Sequence, residues 1–206
     1  MEDVAELFKK RFQYYKKIGE DTMAQLSDQQ LFWQPNAESN SVAIIVQHIA
    51  GNMLSRWTNF LTEDGEKTWR NRDQEFILRY HTRKEVMDYW EKGWKALNDA
   101  LSQIDENNFN SSIFIRGEKH SVLDALLRQL AHYPYHIGQI VYIGKLLRND
   151  HWETLSIARN SSEEFNREMF AQETRIDLRD FSSPVCFAKS EEIRNEYRDE
   201  ENHKPE

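Results

Sequence analysis

The chain of 206 residues has a single cysteine, Cys186, so it forms no internal disulfide and carries no mark of an oxidising compartment. Four prolines and seven glycines are too few for the turn-rich pattern of a β-sandwich or barrel. No run of 18 apolar residues exists to cross a membrane, and the opening Met-Glu-Asp-Val-Ala-Glu-Leu-Phe-Lys-Lys lacks a basic segment leading into an apolar one. A cytoplasmic protein with no membrane partner is expected. Positive charge is in deficit: 27 basic against 35 acidic residues give a net charge of -8. That balance repels a phosphate backbone, so no nucleic-acid partner is expected.

What the chain does have is 30% charged and 12% aromatic residues, the balance of amphipathic helices with one apolar stripe each. Val4, Phe8, Phe12, Tyr15, Ile18, Thr22 and Leu26 repeat with the period of a first helix over residues 2 to 26. The segment Ser27 to Asn40 reads as a folded loop with a short helical turn. Ser41 caps a second helix, striped by Val42, Ile45, Val46, Ile49, Met53 and Trp57 and predicted to end near Thr62. A long loop to His81 follows. Thr82-Arg-Lys-Glu85 has the form of a capping box ahead of Val86, Trp90, Trp94, Leu97, Leu101 and Ile104. Asn107 to His120 fits either an irregular loop or a small hairpin. Ser121-Val-Leu-Asp124 opens a fourth helix through Leu123, Leu126, Leu127, Leu130, Ile137, Val141 and Leu147, with Pro134 inside it predicting a kink or widened turn. Ser161-Ser-Glu-Glu164 predicts a short fifth helix to about Phe170, and residues 189 to 206, apolar only at Ile193 and Tyr197, predict a loosely ordered tail.

The chemistry concentrates in histidines. His132 and His136 lie four apart on one helix, so both rings sit on one face, a turn apart. His48 lies between Ile45 and Ile49 in the stripe of the second helix. Should those helices be neighbours, three neutral imidazoles converge, a set that suits late first-row divalent ions and leaves a coordination position open. The competing reading is a core histidine at His48, its ring nitrogens satisfied by neighbouring hydroxyls or carbonyls, and a His132–His136 pair without metal. There is no Cys-x-x-Cys and no His-Glu-x-x-His; residues 132 to 136 read His-Tyr-Pro-Tyr-His, without the glutamate of a zincin protease.

The run Ser41-Val-Ala-Ile-Ile-Val-Gln-His48-Ile-Ala-Gly-Asn-Met and the downstream His132-Tyr-Pro-Tyr-His136-Ile-Gly-Gln139 resemble the DinB/YfiT-like metal-binding superfamily. Asn52-Met-Leu-Ser-Arg-Trp57, Asp64-Gly-Glu-Lys-Thr-Trp-Arg-Asn-Arg-Asp73 and Trp152-Glu-Thr-Leu-Ser are similar to a subfamily of unassigned function within it. The resemblance covers residues 1 to 170 and departs from the subfamily pattern at Ser156-Ile-Ala-Arg-Asn160. It implies an all-α, up-down four-helix bundle over residues 1–170 with one long connection, and often a homodimer; with the short extra helix predicted above, residues 171–206 are left as a C-terminal extension that the resemblance does not cover. It also implies a divalent metal, zinc or nickel, on His48, His132 and His136, and, by analogy with thiol-dependent transferases, a low-molecular-weight thiol such as bacillithiol as cosubstrate with an electrophilic small molecule. Two other functions stay open: a non-enzymatic dimeric metal-binding or interaction protein, and a metal-assisted hydrolase, for which Tyr135 and Gln139 are poor bases.

Arg56, Arg70 and Arg72 have the guanidinium fork that fits anions, but pairing with Asp64, Glu66, Asp73 or Glu75 is the expected arrangement. Trp90 and Trp94 are expected in the core. Cys186 lacks a histidine nearby in sequence, and His81, His120, His151 and His203 read as solvated.

Overall fold

The computed structural model describes the chain from Val4 to Asp180, with side chains to Ala171. It divides into two compact units, one ending at Leu155 and one beginning at Ser156. In the first, helices α1 (Val4–Ala24), α3 (Val42–Trp57), α4 (Arg83–Leu101) and α5 (Val122–Arg148) form the expected all-α bundle, with α2 (Asp28–Leu31) a single turn in the folded loop. The most extensive packing joins α3 to α4 and α1 to α5; lighter contacts of α3 with α5 and of α1 with α4 close the ring.

Each boundary has a local cause. Ser41 Oγ accepts from the Ile44 amide at 3.2 Å, and Thr82 and Glu85 form the reciprocal capping box expected of them. The second long helix closes at Trp57, five residues before the predicted end. Thr58 turns to extended backbone and Asn59 takes φ 49°, a left-handed conformation that asparagine tolerates. Behind the cap of α4, Val86, Trp90, Trp94, Leu97 and Leu101 are buried, and the two indoles meet edge to face at 5.3 Å. Gly93 lets α4 come backbone to backbone with α3: a Cβ there would lie 2.7 Å from the Ala50 Cα. Helix α3 is therefore covered almost all round, with only Leu54 half-buried.

Of the two forms left open for residues 107 to 120, the hairpin is present, with β1 (Ser112–Ile115) antiparallel to β2 (Glu118–Ser121). Its two-residue turn places Arg116 at φ 57° and Gly117 at φ 75°, the paired positive values that match strand twist. Asp64 accepts from both turn amides, at 2.8 and 2.7 Å, and so fastens the hairpin to the loop that follows α3.

Helix α5 starts where Ser121 Oγ accepts from the Asp124 amide at 3.0 Å and runs as one helix through Pro134. Leu127, predicted in its buried stripe, is exposed instead, as are Tyr135, Tyr142 and Leu146. The residues that face inward are Val122, Leu126, Gln129, Tyr133, Ile137 and Ile140. Val4 at the start of α1 is likewise exposed. No helix among the described residues is long and apolar enough to cross a membrane.

In the second unit, α6 (Ser162–Asp180) extends ten residues beyond the predicted end at Phe170, since no glycine or proline interrupts Ala171 to Asp180. The expectations for the tail over residues 189–206, for Cys186 and for His203 fall outside the described residues.

Candidate metal centre

Two helices and one loop turn build the site. His48 enters from α3 and is 4% exposed; His132 and His136 enter from α5, half-buried, on its face toward α3. The ligand-capable nitrogens of the three rings lie within 4.8 Å of one another. His48 Nε2 is 3.4 Å from His132 Nε2, which is 3.1 Å from His136 Nε2. Four-coordinate zinc with bonds of 2.0–2.1 Å sets neighbouring nitrogens about 3.3 Å apart.

The partners on the far side of each ring fix the tautomers. His48 Nδ1 lies 2.9 Å from a Glu75 carboxylate oxygen. His132 Nδ1 lies 3.4 Å from Gln129 Oε1, and His136 Nδ1 lies 3.2 Å from Gln139 Oε1. All three oxygens are acceptors only, so each Nδ1 carries a proton and donates it. In the neutral rings the lone pairs then sit on the three Nε2 atoms, aimed at one another with no proton between them. A cation satisfies that arrangement, so the donor set fits a divalent metal, and the outer oxygens are the kind that orient metal-binding imidazoles.

From the sequence Glu75 is expected only as a partner for the arginines, and nothing there puts it beside His48. It comes from a 3-10 turn, Asp73–Phe76, in the long loop after α3, and Phe76 stacks on the His48 ring at 4.7 Å. Burial works to raise the Glu75 carboxyl, but hydrogen bonds from His48 and Arg70 outweigh it and hold the group below the usual range. Arg70 closes on Glu75 with two bonds, 2.8 and 2.9 Å, and reaches Glu66 at 3.0 Å. No spacing rule links a loop glutamate to a helix histidine 27 positions earlier; the only hint was a loop too long to be a mere connection.

Burial first, then the neighbouring histidines, lower His132 to about 3; burial and His48 lower His136 to about 4. Both rings are therefore neutral at pH 7, the state a metal ligand requires. Replacing Glu75 with Gln removes the carboxylate that His48 donates to and half of the Arg70 clamp. Such outer partners are worth about 10–100-fold in metal affinity. Competition titration with a chelator is expected to show weakening in that range for Glu75→Gln, and an unchanged affinity would remove Glu75 from the centre.

A cavity of about 270 Å³ opens beside the centre and touches His48 and His132. Its other walls are Asn52, Gln129 and five arginines: Arg56, Arg70, Arg72, Arg116 and Arg128. The expected surface pairing holds for Arg70. It fails for Arg56, which is 4% exposed with Nε and NH1 meeting no hydrogen-bond acceptor, and Arg72 lies over the Phe76 ring instead of an acid. Burial, and then the charges of Arg128 and Arg70, lower Arg56 to about 10.

Trp90 and Trp94 are core, as expected. His120 is not solvated: its side chain is 10% exposed and its Nδ1 sits 2.6 Å from Asp124. It is no part of the centre.

The chain matches over residues 2–161 a family described as a protein of unknown function, DUF1572. Its fold is similar to two solved structures, a conserved protein from Enterococcus faecalis (TM-score 0.56) and a DinB-like protein from Bacillus cereus (TM-score 0.55). Each is 18% identical and covers 71% of this chain; the chain in turn covers 98% and 95% of them. No curated protein matches. With the family match over most of its length, and a fold similar to that of a DinB-like protein, the chain belongs to the DUF1572 family of proteins of unknown function.

Proposed function

We propose that the chain is a metal-dependent enzyme in which a divalent ion, zinc or nickel, on His48, His132 and His136 activates a low-molecular-weight thiol, such as bacillithiol, for transfer to an electrophilic small molecule. The observation that carries this reading is the cavity at His48 and His132: a purely structural ion is enclosed by four protein ligands, whereas three histidines beside open space leave room for a substrate. When bound, the ion lowers the pKa of a thiol beside it and supplies a thiolate at neutral pH.

The chain's own groups prepare that site. Glu75, Gln129 and Gln139 hold the three rings in one tautomer. Phe76 covers one face of His48 and excludes water from it. In the transfer, the thiol sulfur forms a carbon–sulfur bond, the leaving group departs with the bonding pair, and the thiol proton passes to solvent. Hydrolysis is supported less well: both oxygens of Glu75, the carboxylate at the centre, are already engaged by His48 and Arg70, and Tyr135 is 65% exposed.

A second reading, a dimeric interaction protein with a structural ion, draws on Leu127, Tyr135, Tyr142 and Leu146, exposed along α5. One assay separates the two. The zinc-loaded chain, incubated with bacillithiol and an aryl halide, is expected to form conjugate faster than the metal-stripped chain, with the gain lost in His48→Ala. Equal rates with and without metal would leave the interaction protein as the better reading.

A further inference from the structure

His48, Asn52 and Arg56 are spaced by four on α3, so all three line the same side of the helix and the same cavity. The eight-residue step from His48 to Arg56 is about 12 Å of axial rise. The cavity thus has a histidine end and an arginine end. On α5, Arg128 stands one turn before His132, and Arg72 and Arg116 reach the cavity from the loop and the hairpin turn.

The charges at the arginine end do not balance within the chain. Arg70 is matched by Glu66 and Glu75, and Arg116 lies 3.3 Å from Glu66. Among the described residues, Arg56, Arg72 and Arg128 have no carboxylate partner, and no acid lines the cavity. Arg56 is the telling case. Its Nε and NH1 are buried without an acceptor, with NH1 packed where a side chain on Gly65 would otherwise stand. An unpaired guanidinium is costly to bury, and two further cations beside it raise the cost. Asp64 and Glu66 act on Arg56 from a distance, but neither ion-pairs with it nor lines the cavity, so the arginine wall offers a place for an anion from outside the chain. Asn52 accepts from the Tyr133 hydroxyl at 3.2 Å, which leaves its amide hydrogens to donate elsewhere.

We infer that this cavity binds a small organic anion, its carboxylate or phosphate group held by Arg56, Arg72 and Arg128. The planar guanidinium fork accepts either group through paired hydrogen bonds, and both are the same chemistry to these side chains. Anion binding stands on the arginines alone. That the anion is the substrate, with its reactive end at the histidines, rests on the proposed function. The substrate class that follows is a small molecule with an acidic group roughly two helical turns from its reacting atom.

Calorimetric titration of the full chain with inorganic phosphate and with malonate, in metal-free and zinc-loaded forms, tests this. Saturable binding of one or both probes to the metal-free form is expected. Arg56→Met should weaken it at least about tenfold, the loss typical of a charge-assisted contact. Arg72→Met and Arg128→Met, at exposed positions where folding is not at stake, should each weaken it too, while Lys95→Met on the outer side of α4 should not. No binding of either probe, or affinities in all three arginine variants equal to the unmodified chain, would overturn the inference. So would binding seen only with zinc, which places the anion on the metal. Failure of the metal reading looks different: the probes bind and the arginine variants respond, but zinc does not load. Zinc loading without any anion binding sinks this inference and leaves the metal reading standing.

Discussion

Elemental analysis of the chain purified without chelator is expected to return about one divalent ion per molecule, and the His132→Ala, His136→Ala double variant none. The double variant removes two of three nitrogens that converge within 4.8 Å, and a lone His48 is no chelate. Acid should mimic the variant. His132 and His136, lowered to about 3 and 4 in the fold, stand well below the ordinary histidine value of 6.5, so the native metal-free state binds fewer protons than the unfolded chain. Their contribution to stability is fully present above pH 6.5. It declines as pH falls through that value and continues to decline toward pH 4 and 3. Bound metal competes with the same protons, so metal content and melting temperature should fall together on acidification. No metal in either protein after incubation with zinc and nickel would make these histidines core residues.

Trp94→Ala is expected to destabilise the fold by about 3–5 kcal/mol, the range for truncating a large buried aromatic. The indole is 1% exposed and packs between Trp90 and the Tyr133 ring, with centroids 5.3 and 6.2 Å away. Trp94→Phe should cost much less, under about 1.5 kcal/mol, for two reasons. Most of the aromatic volume stays. The indole Nε1 also has no hydrogen-bond acceptor, so losing its N–H relieves a desolvated donor. Urea unfolding of the two variants measures the difference; equal losses would show that the N–H is satisfied after all.

The helical frame was legible because its causes are local. The capping residues Ser41, Thr82 and Ser121 and the stripe of α4 act over one or two turns, and each does in space what its spacing says. Three misjudgements share one physical origin, tertiary context. Leu127 is apolar yet faces outward, because Leu126 and Gln129 take the inner positions. The end of α3 is set by the backbone of Thr58 and Asn59, ahead of the end expected near Thr62. Arg56 was assigned a carboxylate partner because arginines among acids usually have one; burial on α3 keeps it from any. At the centre, the i, i+4 pair and His48 were visible as candidates, while Glu75 depended on a loop path that no periodicity encodes.

The ring of helices is closed unevenly, and that has a mechanical consequence. The tight pairs are α3 with α4 and α1 with α5; the seams between the pairs, α3 to α5 and α1 to α4, are thin. The three histidines straddle one of those thin seams, and the cavity lies along it. The bundle is built like a book: each tight pair is a cover, the α1–α4 seam is the spine, and an ion shared by His48, His132 and His136 would be a clasp at the opposite edge. Beside the cavity that edge is joined by Tyr133 of α5, whose hydroxyl donates to Asn52 at 3.2 Å and accepts from the Trp57 indole at 3.1 Å, both on α3. Because His48 comes from one cover and His132 and His136 from the other, an ion bound by all three would tie the covers together at the edge where the cavity opens.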